Sequence, residues 1–260
     1  MRLPGTPALG PLPPLAETLR RSFVELLGTF ALVFIGVGAI LAIGPEVVTE
    51  GNRIGAGTLE VAFAHGLVIA VMISAVGHIS GGYFNPAITF GFMLTRRISV
   101  LLGLFYWIAQ FAGGALAVLL LKWVFPAANR DPANLGAPAR HTIELGPALV
   151  VEALLTFFLV WVVFATTADP RSTYTAVAGI AIGLVVVFDN LMGYPLTSAI
   201  VNPARALGPQ LVGNSWTDWW IWYVGPFAGG AIAALLYDEL YLRPLAPSAT
   251  AEPPPAPPSA

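Results

Sequence analysis

The sequence predicts an all-α membrane protein. Six helices cross the bilayer and two short half-helices enter it without crossing, in an inverted repeat. Three observations carry this. Only 10% of the residues are charged and 57% are hydrophobic, at a mean hydropathy of +0.77, whereas soluble domains carry about 25% charged residues. Six apolar stretches approach the roughly 20 residues of helix that a hydrocarbon core of about 30 Å requires. The two halves of the chain also repeat each other, landmark by landmark.

Taken in order, residues 1–16 are rich in Pro and Leu and read as a disordered tail. The first repeat, 17–125, holds spanning stretches at 22–43, 58–77 and 100–125. The first of these is too long for the apolar core of a signal peptide and reads as a retained helix. Stretch 85–94 is too short to span: at about 1.5 Å per residue it reaches halfway. A loop at 126–142 leads to the second repeat, 143–243, with spans at 143–167, 174–191 and 216–241 and a second half-helix at 202–211. Residues 246–260, rich in Pro and Ala, read as a second disordered tail.

The duplication is explicit. The stretch from Val24, Glu25 and Leu26 to Thr29 and Phe30 aligns without gaps to that from Val151, Glu152 and Ala153 to Thr156 and Phe157. Asn85-Pro86-Ala87 aligns to Asn202-Pro203-Ala204, each followed by a glycine, Gly91 or Gly208. Gly113-Gly114 aligns to Gly229-Gly230. Three spans per half is an odd number, so the halves insert in opposite orientations about a pseudo-two-fold axis in the membrane plane. Lys and Arg placement then orients the chain. Arg2, Arg20, Arg21, Arg96, Arg97, Arg171 and Arg243 fall on one face; Arg53, Arg130, Arg140 and Lys122 fall on the other. The expectation is a multi-pass protein of a cell (plasma or inner) membrane with both termini cytoplasmic.

Composition also excludes functions. There is no cysteine, and the net charge of −2 offers nothing to nucleic acid. No nucleophile–base set or metal-ligand spacing is present, so neither an enzyme nor a metal or cofactor is expected.

An Asn-Pro-Ala tripeptide is by itself a helix start, with Asn as N-cap and Pro as first residue. That reading is kept and extended. The Asn oxygen caps its own half-helix, leaving the amide NH2 to point ahead. Two half-helices meeting head-on bring two such donors and two positive dipole ends to one place. Irregular backbone at that depth is tolerated only when buried in protein or lining a wet cavity, so a lumen is implied. A water held there by Asn85 and Asn202 turns its protons outward, which breaks a proton wire.

With these motifs the chain resembles the aquaporin, or major intrinsic protein, family. The resemblance covers about residues 17–243. It rests on Glu25-x-x-Gly28-Thr29, on the stretch from Gly77 and His78 to Asn85-Pro86-Ala87, and on Asn202-Pro203-Ala204-Arg205 with Ala206, Gly208 and Pro209. It implies an aquaporin-like bundle, a homotetramer with one pore per subunit, and passive conduction of water and small neutral solutes across a lipid bilayer. It also implies an outer constriction of His65, Asn190, Ala199 and Arg205, with Ala199 supplying a backbone carbonyl. A His on the second helix is similar to the vacuolar (tonoplast) plant members, while Asn190 departs from the common patterns. A one-residue slip would put Asp189 or Leu191 in its place.

Each assignment has a plainer alternative. An intramembrane Arg is costly enough to be a functional candidate, yet Arg205 can also be a structural ion pair. His65 alone would read as a core histidine. Glu25 and Glu152 read as structural acids that accept backbone N–H groups of the irregular loops; proton relay is the alternative. Leu32 and Leu159, seven residues beyond these acids, read as apolar pore lining with Ile69 and Val186, or as a lipid-facing stripe. Trp222-Tyr223 and Ala206 are similar to water channels, though a Trp-Tyr pair also suits an interfacial belt. His78 is a structural histidine or a pH gate. The function expected is passive passage of water, with ammonia, hydrogen peroxide or small polyols as further solutes, while protons and ions are excluded. A glycerol facilitator of the same fold, a coupled secondary transporter and a structural junction protein are the alternatives.

Overall fold

A computed structural model describes residues 12–43, 57–141, 143–173 and 175–245. Arg2, Arg53 and the tails at 1–11 and 246–260 lie outside the described residues. Among those described, every regular element is helical. Six are long: α1 (Leu15–Ile43), α2 (Thr58–Ser80), α4 (Val100–Val124), α5 (Leu145–Val163), α6 (Ala178–Thr197) and α8 (Ile221–Tyr237). Two are half-helices, α3 (Pro86–Leu94) and α7 (Pro203–Gly213).

Five helices among the described residues are long and apolar enough to cross a membrane. The sixth, α8, has 17 helical residues and continues through a π turn, Asp238–Leu242. Helix α5 likewise ends in a π turn, Phe164–Ala168.

Several boundaries differ from the sequence expectation, each for a local reason. Helix α1 starts at Leu15, inside the segment read as tail. Glu17 pairs with Arg20 at 2.5 Å and with Arg21 at 2.7 Å, one turn along, and such pairs carry a helix past its apolar span. Helix α6 runs through Pro195 to Thr197 instead of stopping near 191. Its last turn is held from outside, since Trp222 Nε1 donates to the Thr197 carbonyl at 2.9 Å. Helix α8 starts at Ile221, because Asp218 turns the backbone left-handed (φ 52) and pairs with Arg140 at 3.0 Å.

The packing carries the repeat symmetry. Helix α1 packs on α4 and α2, as α5 packs on α8 and α6, and α2 packs on α6 across the pseudo-axis. The half-helices cross over: α3 packs on α8 and α7 on α4. Paired glycines set these distances. A Cβ at Gly113 would stand 2.4 Å from the Leu26 carbonyl, and one at Gly229 would stand 1.9 Å from the Ala153 carbonyl. Leu26 and Ala153 are themselves repeat equivalents. Their neighbours Gly114 and Gly230 face the carbonyls of Ala204 and Ala87 in the same way. Small residues at such crossings let backbones approach closely.

Candidate functional site

The site is built where α3 and α7 meet. Pro86 and Pro203 occupy the first helical turn, where a missing N–H leaves nothing unsatisfied. Asn85 and Asn202 are the N-caps: Asn85 Oδ1 accepts from the Ala87 N–H at 2.8 Å and Asn202 Oδ1 from the Ala204 N–H at 3.0 Å. The two amides are not wholly free, however. Asn85 Nδ2 donates to the Val201 carbonyl and Asn202 Nδ2 to the Phe84 carbonyl, both at 2.9 Å. Each Asn thus ties down the residue that precedes the other. Phe84 (φ 47) and Val201 (φ 45) are both left-handed, at a cost of order 1–3 kcal/mol per residue. The cross-tie is one compensation for that strain.

The other compensation is the buried acids. Glu25 is fully buried and accepts four hydrogen bonds, from Ser80 Oγ (2.6 Å), the Tyr83 N–H (3.1 Å), the Phe84 N–H (2.7 Å) and Gln110 Nε2 (2.8 Å). Glu152 does the same in the second half, accepting from Thr197 Oγ1 (2.6 Å) and the N–H groups of Ile200 (3.0 Å) and Val201 (2.9 Å). Each acid collects the backbone donors of the loop that enters the membrane beside it.

A narrow cavity runs along the half-helix junction. Leu32, His65, Ile69, Asn85, Leu159, Val186, Asn190, Ala199, Asn202 and Arg205 all line it, together with Phe84 and Val201. Its walls follow helical period: residues 65, 69 and 73 on α2, 159, 163 and 167 on α5 and its π turn, and 182, 186 and 190 on α6. Its volume is about 30 Å³. One water needs roughly 10–15 Å³ by that measure, so the cavity has room for water-sized molecules.

His65, Asn190, Ala199 and Arg205 all lie on this lining, and Arg205 reaches the loop between the repeats. His65 Nδ1 hydrogen-bonds the Val61 carbonyl at 2.8 Å. A carbonyl only accepts, so Nδ1 carries a proton, and in the neutral ring Nε2 is then the acceptor; Nε2 is buried without a partner. Asn190 Nδ2 donates to the Val186 carbonyl at 2.8 Å, which leaves its oxygen and its second N–H for the cavity. Ala199 lies in a left-handed run with Ser198 and Val201. Arg205 is 2% exposed and donates from a guanidinium nitrogen to the Gly136 carbonyl at 3.1 Å. Among the described residues it makes no ion pair.

Asp189 and Leu191, the alternatives to Asn190, lie elsewhere. Asp189 is buried off the cavity with neither carboxylate oxygen hydrogen-bonded, and Leu191 is exposed. Trp222 is buried at 1% exposure and Tyr223 donates to Gln210 Oε1, so this pair packs inside the protein. Pro86, Ala87, Pro203 and Ala204 shape the half-helices and do not line the cavity. His78 is exposed and off the lining.

Sequence reasoning missed the loop between the repeats. Gly136 (φ 69) offers its carbonyl to Arg205, and a second cavity of about 130 Å³ over Arg205 is lined by Tyr194, Ser198 and His141 among others. Burial pushes the His141 imidazole pKa below its ordinary value. The one signal in the sequence was the Asn134-Leu135-Gly136 turn.

A bundle of this form, with two capped half-helices over one narrow lumen, defines a passive membrane channel. Comparison agrees: the family model "Major intrinsic protein" matches residues 15–237, and the chain belongs to that family. It is 40% identical over 231 residues to the probable aquaporin TIP3-2 of Arabidopsis thaliana, covering 87% of this chain and 85% of that protein. It is 41% identical over 228 residues to aquaporin TIP4-4 of Zea mays, covering 87% and 88%. The X-ray structure of the aquaglyceroporin from Plasmodium falciparum superposes with a TM-score of 0.74 at 22% identity, over 86% of this chain and 96% of that one; it shows the shared fold. The chain is a passive channel for water and small solutes and not an enzyme.

The comparisons correct one expectation. The relatives are tonoplast intrinsic proteins, which points to a vacuolar membrane and away from the plasma or inner membrane. Multi-pass insertion stands. Composition tells that a chain spans a bilayer, and basic residues rank one face against the other; neither carries the address of a particular membrane.

Proposed function

We propose that the lined cavity is a single-file water path whose outer constriction is His65, Asn190, Ala199 and Arg205. The observation that carries this is the convergence of those four side chains on one narrow lumen with both Asn-Pro-Ala asparagines. Water passes in file along Leu32, Ile69, Leu159 and Val186, which offer no hydrogen bonds and therefore little drag. At the junction each asparagine amide has one N–H tied across to the other half. The second N–H is left to a passing water. That water's oxygen takes both donors, so its protons point away to either side and proton hopping is interrupted. The positive ends of α3 and α7 raise the energy of any cation at the same depth, and Arg205 repeats that barrier nearer the mouth.

The relatives named as aquaporins support water as the main solute. The polar constriction adds ammonia, hydrogen peroxide and small polyols as candidates. Glu25 and Glu152 act as structural acids. The assembly we carry forward is the family's homotetramer, with one pore in each copy.

Stopped-flow osmotic swelling of proteoliposomes, run with water, glycerol and ammonia, tests the reading. Water permeability well above empty liposomes is expected; background permeability would sink it. Arg205→Ala should raise glycerol permeability roughly tenfold, the effect of removing about 1.4 kcal/mol of barrier. An unaltered solute profile in a folded variant would remove Arg205 from the constriction.

A further inference from the structure

The imidazole of His65 lies against α1. A Cβ at Gly36 would stand 2.3 Å from His65 Nε2, 2.4 Å from Cδ2 and 2.7 Å from Cε1, well inside the 3.4–4 Å of ordinary contact. The tip of the ring therefore fills the volume that any other residue at 36 would occupy. Gly36 sits one helical turn beyond Leu32, a cavity-lining residue, so the recess opens on the lumen wall. The other end of the ring is pinned by the Nδ1 bond to the Val61 carbonyl. The same helix repeats the device two turns earlier: a Cβ at Gly28 would stand 2.1 Å from the ring of Phe84, the residue before Asn85.

The internal repeat supplies a control within the molecule. The gapless alignment of α1 with α5 pairs Gly28, Leu32 and Gly36 with Leu155, Leu159 and Val163. The Asn-Pro-Ala register pairs His65 with Ile182 and Phe84 with Val201. Where the second half has Val163 and Ile182, both lining the cavity, the first half has Gly36 and His65 in contact. His65 and Phe84 each lie against a glycine of α1, whereas the positions equivalent to those glycines in α5 carry Val163 and Leu155.

We infer that Gly36 is a specificity-determining positioning residue: it seats the His65 ring against α1 and so sets the bore of the constriction. The inference rests on the constriction reading given above. A side chain at 36 would push the imidazole off its seat. His65 lines the cavity, so an imidazole displaced from α1 would move into the path of the solute. With the ring seated, the lumen keeps its width, and Nε2 is the only polar atom of His65 left to receive a hydrogen bond.

The test is a double-mutant cycle in proteoliposomes at matched protein content, reading water and glycerol permeability for the parent, His65→Ala, Gly36→Ala and the double variant. His65→Ala should admit glycerol faster than the parent. Gly36→Ala should lower water permeability roughly tenfold, about 1.4 kcal/mol of added barrier, and glycerol permeability further. In the double variant the methyl has no ring to displace, so both permeabilities should return to the His65→Ala values. This last comparison decides the matter even where Gly36→Ala alone does not fold. A double variant that conducts less than His65→Ala by the full cost of Gly36→Ala, or that fails to fold where His65→Ala folds, shows that Gly36 serves helix packing and overturns the seat alone. An unaltered Gly36→Ala chain overturns it too. A His65→Ala chain with the parent's solute profile overturns the constriction reading and the seat with it.

Discussion

At the scale of single residues, the chemistry that holds the pore open is not the chemistry that faces it. Glu152 never reaches the lumen, yet it accepts from Thr197, Ile200 and Val201 and so fixes the strand of backbone that carries Ala199. Glu152→Gln replaces one acceptor with an NH2, which must face a donor. Leaving one buried donor unsatisfied costs about 1–3 kcal/mol. The thermal midpoint of the solubilised protein, followed by tryptophan fluorescence, should fall, and water permeability should fall with it. A parent-like midpoint would mean that the acid does not bear on the loop. Asp169 shows a titrating version of such a tie, outside the membrane. The Arg171 side chain chiefly, with its backbone N–H and the Tyr237 hydroxyl, holds the Asp169 carboxyl well below the usual aspartate range. Its folded value is depressed, so the stability it contributes is present above the unfolded value of about 3.9. That stability is lost as pH falls from there towards the folded value. Midpoints measured between pH 6 and 3 should drop more steeply for the parent than for Asp169→Asn; parallel curves would count against the tie.

At the scale of helices, backbone contact decides what is tolerated. Two glycines of the second repeat make the contrast. A Cβ at Gly229 would stand 1.9 Å from the Ala153 carbonyl, backbone that cannot swing aside, whereas one at Gly146 meets nothing within 4 Å. Gly229→Ala should therefore separate α8 from α5 and lower the thermal midpoint or abolish folded protein in the membrane. Gly146→Ala should be silent or raise stability by about 0.4–1 kcal/mol through the unfolded chain. Equal effects of the two would refute the close crossing as the cause. The sequence shows where such glycines recur but not which carbonyl each one meets. Helix ends were legible to the same partial degree. The N-caps at Asn85 and Asn202 could be read because capping is local. The run of α6 through Pro195 could not, because Trp222 and Glu152, which hold its last turn, are distant in sequence.

At the scale of the whole molecule, the duplication was the most legible feature, since it needs only a chain compared with itself. With six apolar spans counted, it gave the inversion and the meeting of two asparagines. Leu32 and Leu159 followed from helical period measured from the two buried acids, while the constriction residues on α2 and α6 came from the family resemblance. What the sequence withheld were the contacts between distant segments: the crossed amide bonds, the Gly136 carbonyl on Arg205 and the recess at Gly36. Each depends on which distant group meets a backbone carbonyl or a glycine, and residue types do not record that.

The crossover of the half-helices has a consequence for how this chain is made. Helix α3 rests on α8, and α7 rests on α4, so each half shelters the other's re-entrant segment. During synthesis the first Asn-Pro-Ala turn leaves the ribosome long before its seat exists. Glu25 and Ser80 are already present to hold that turn, and Gln110 follows with α4, but α3 itself has no finished bed until the last helix is delivered. The final span is thus the latch of the assembly. A nascent chain halted before residue 221 would leave both re-entrant segments in place and only one of them housed.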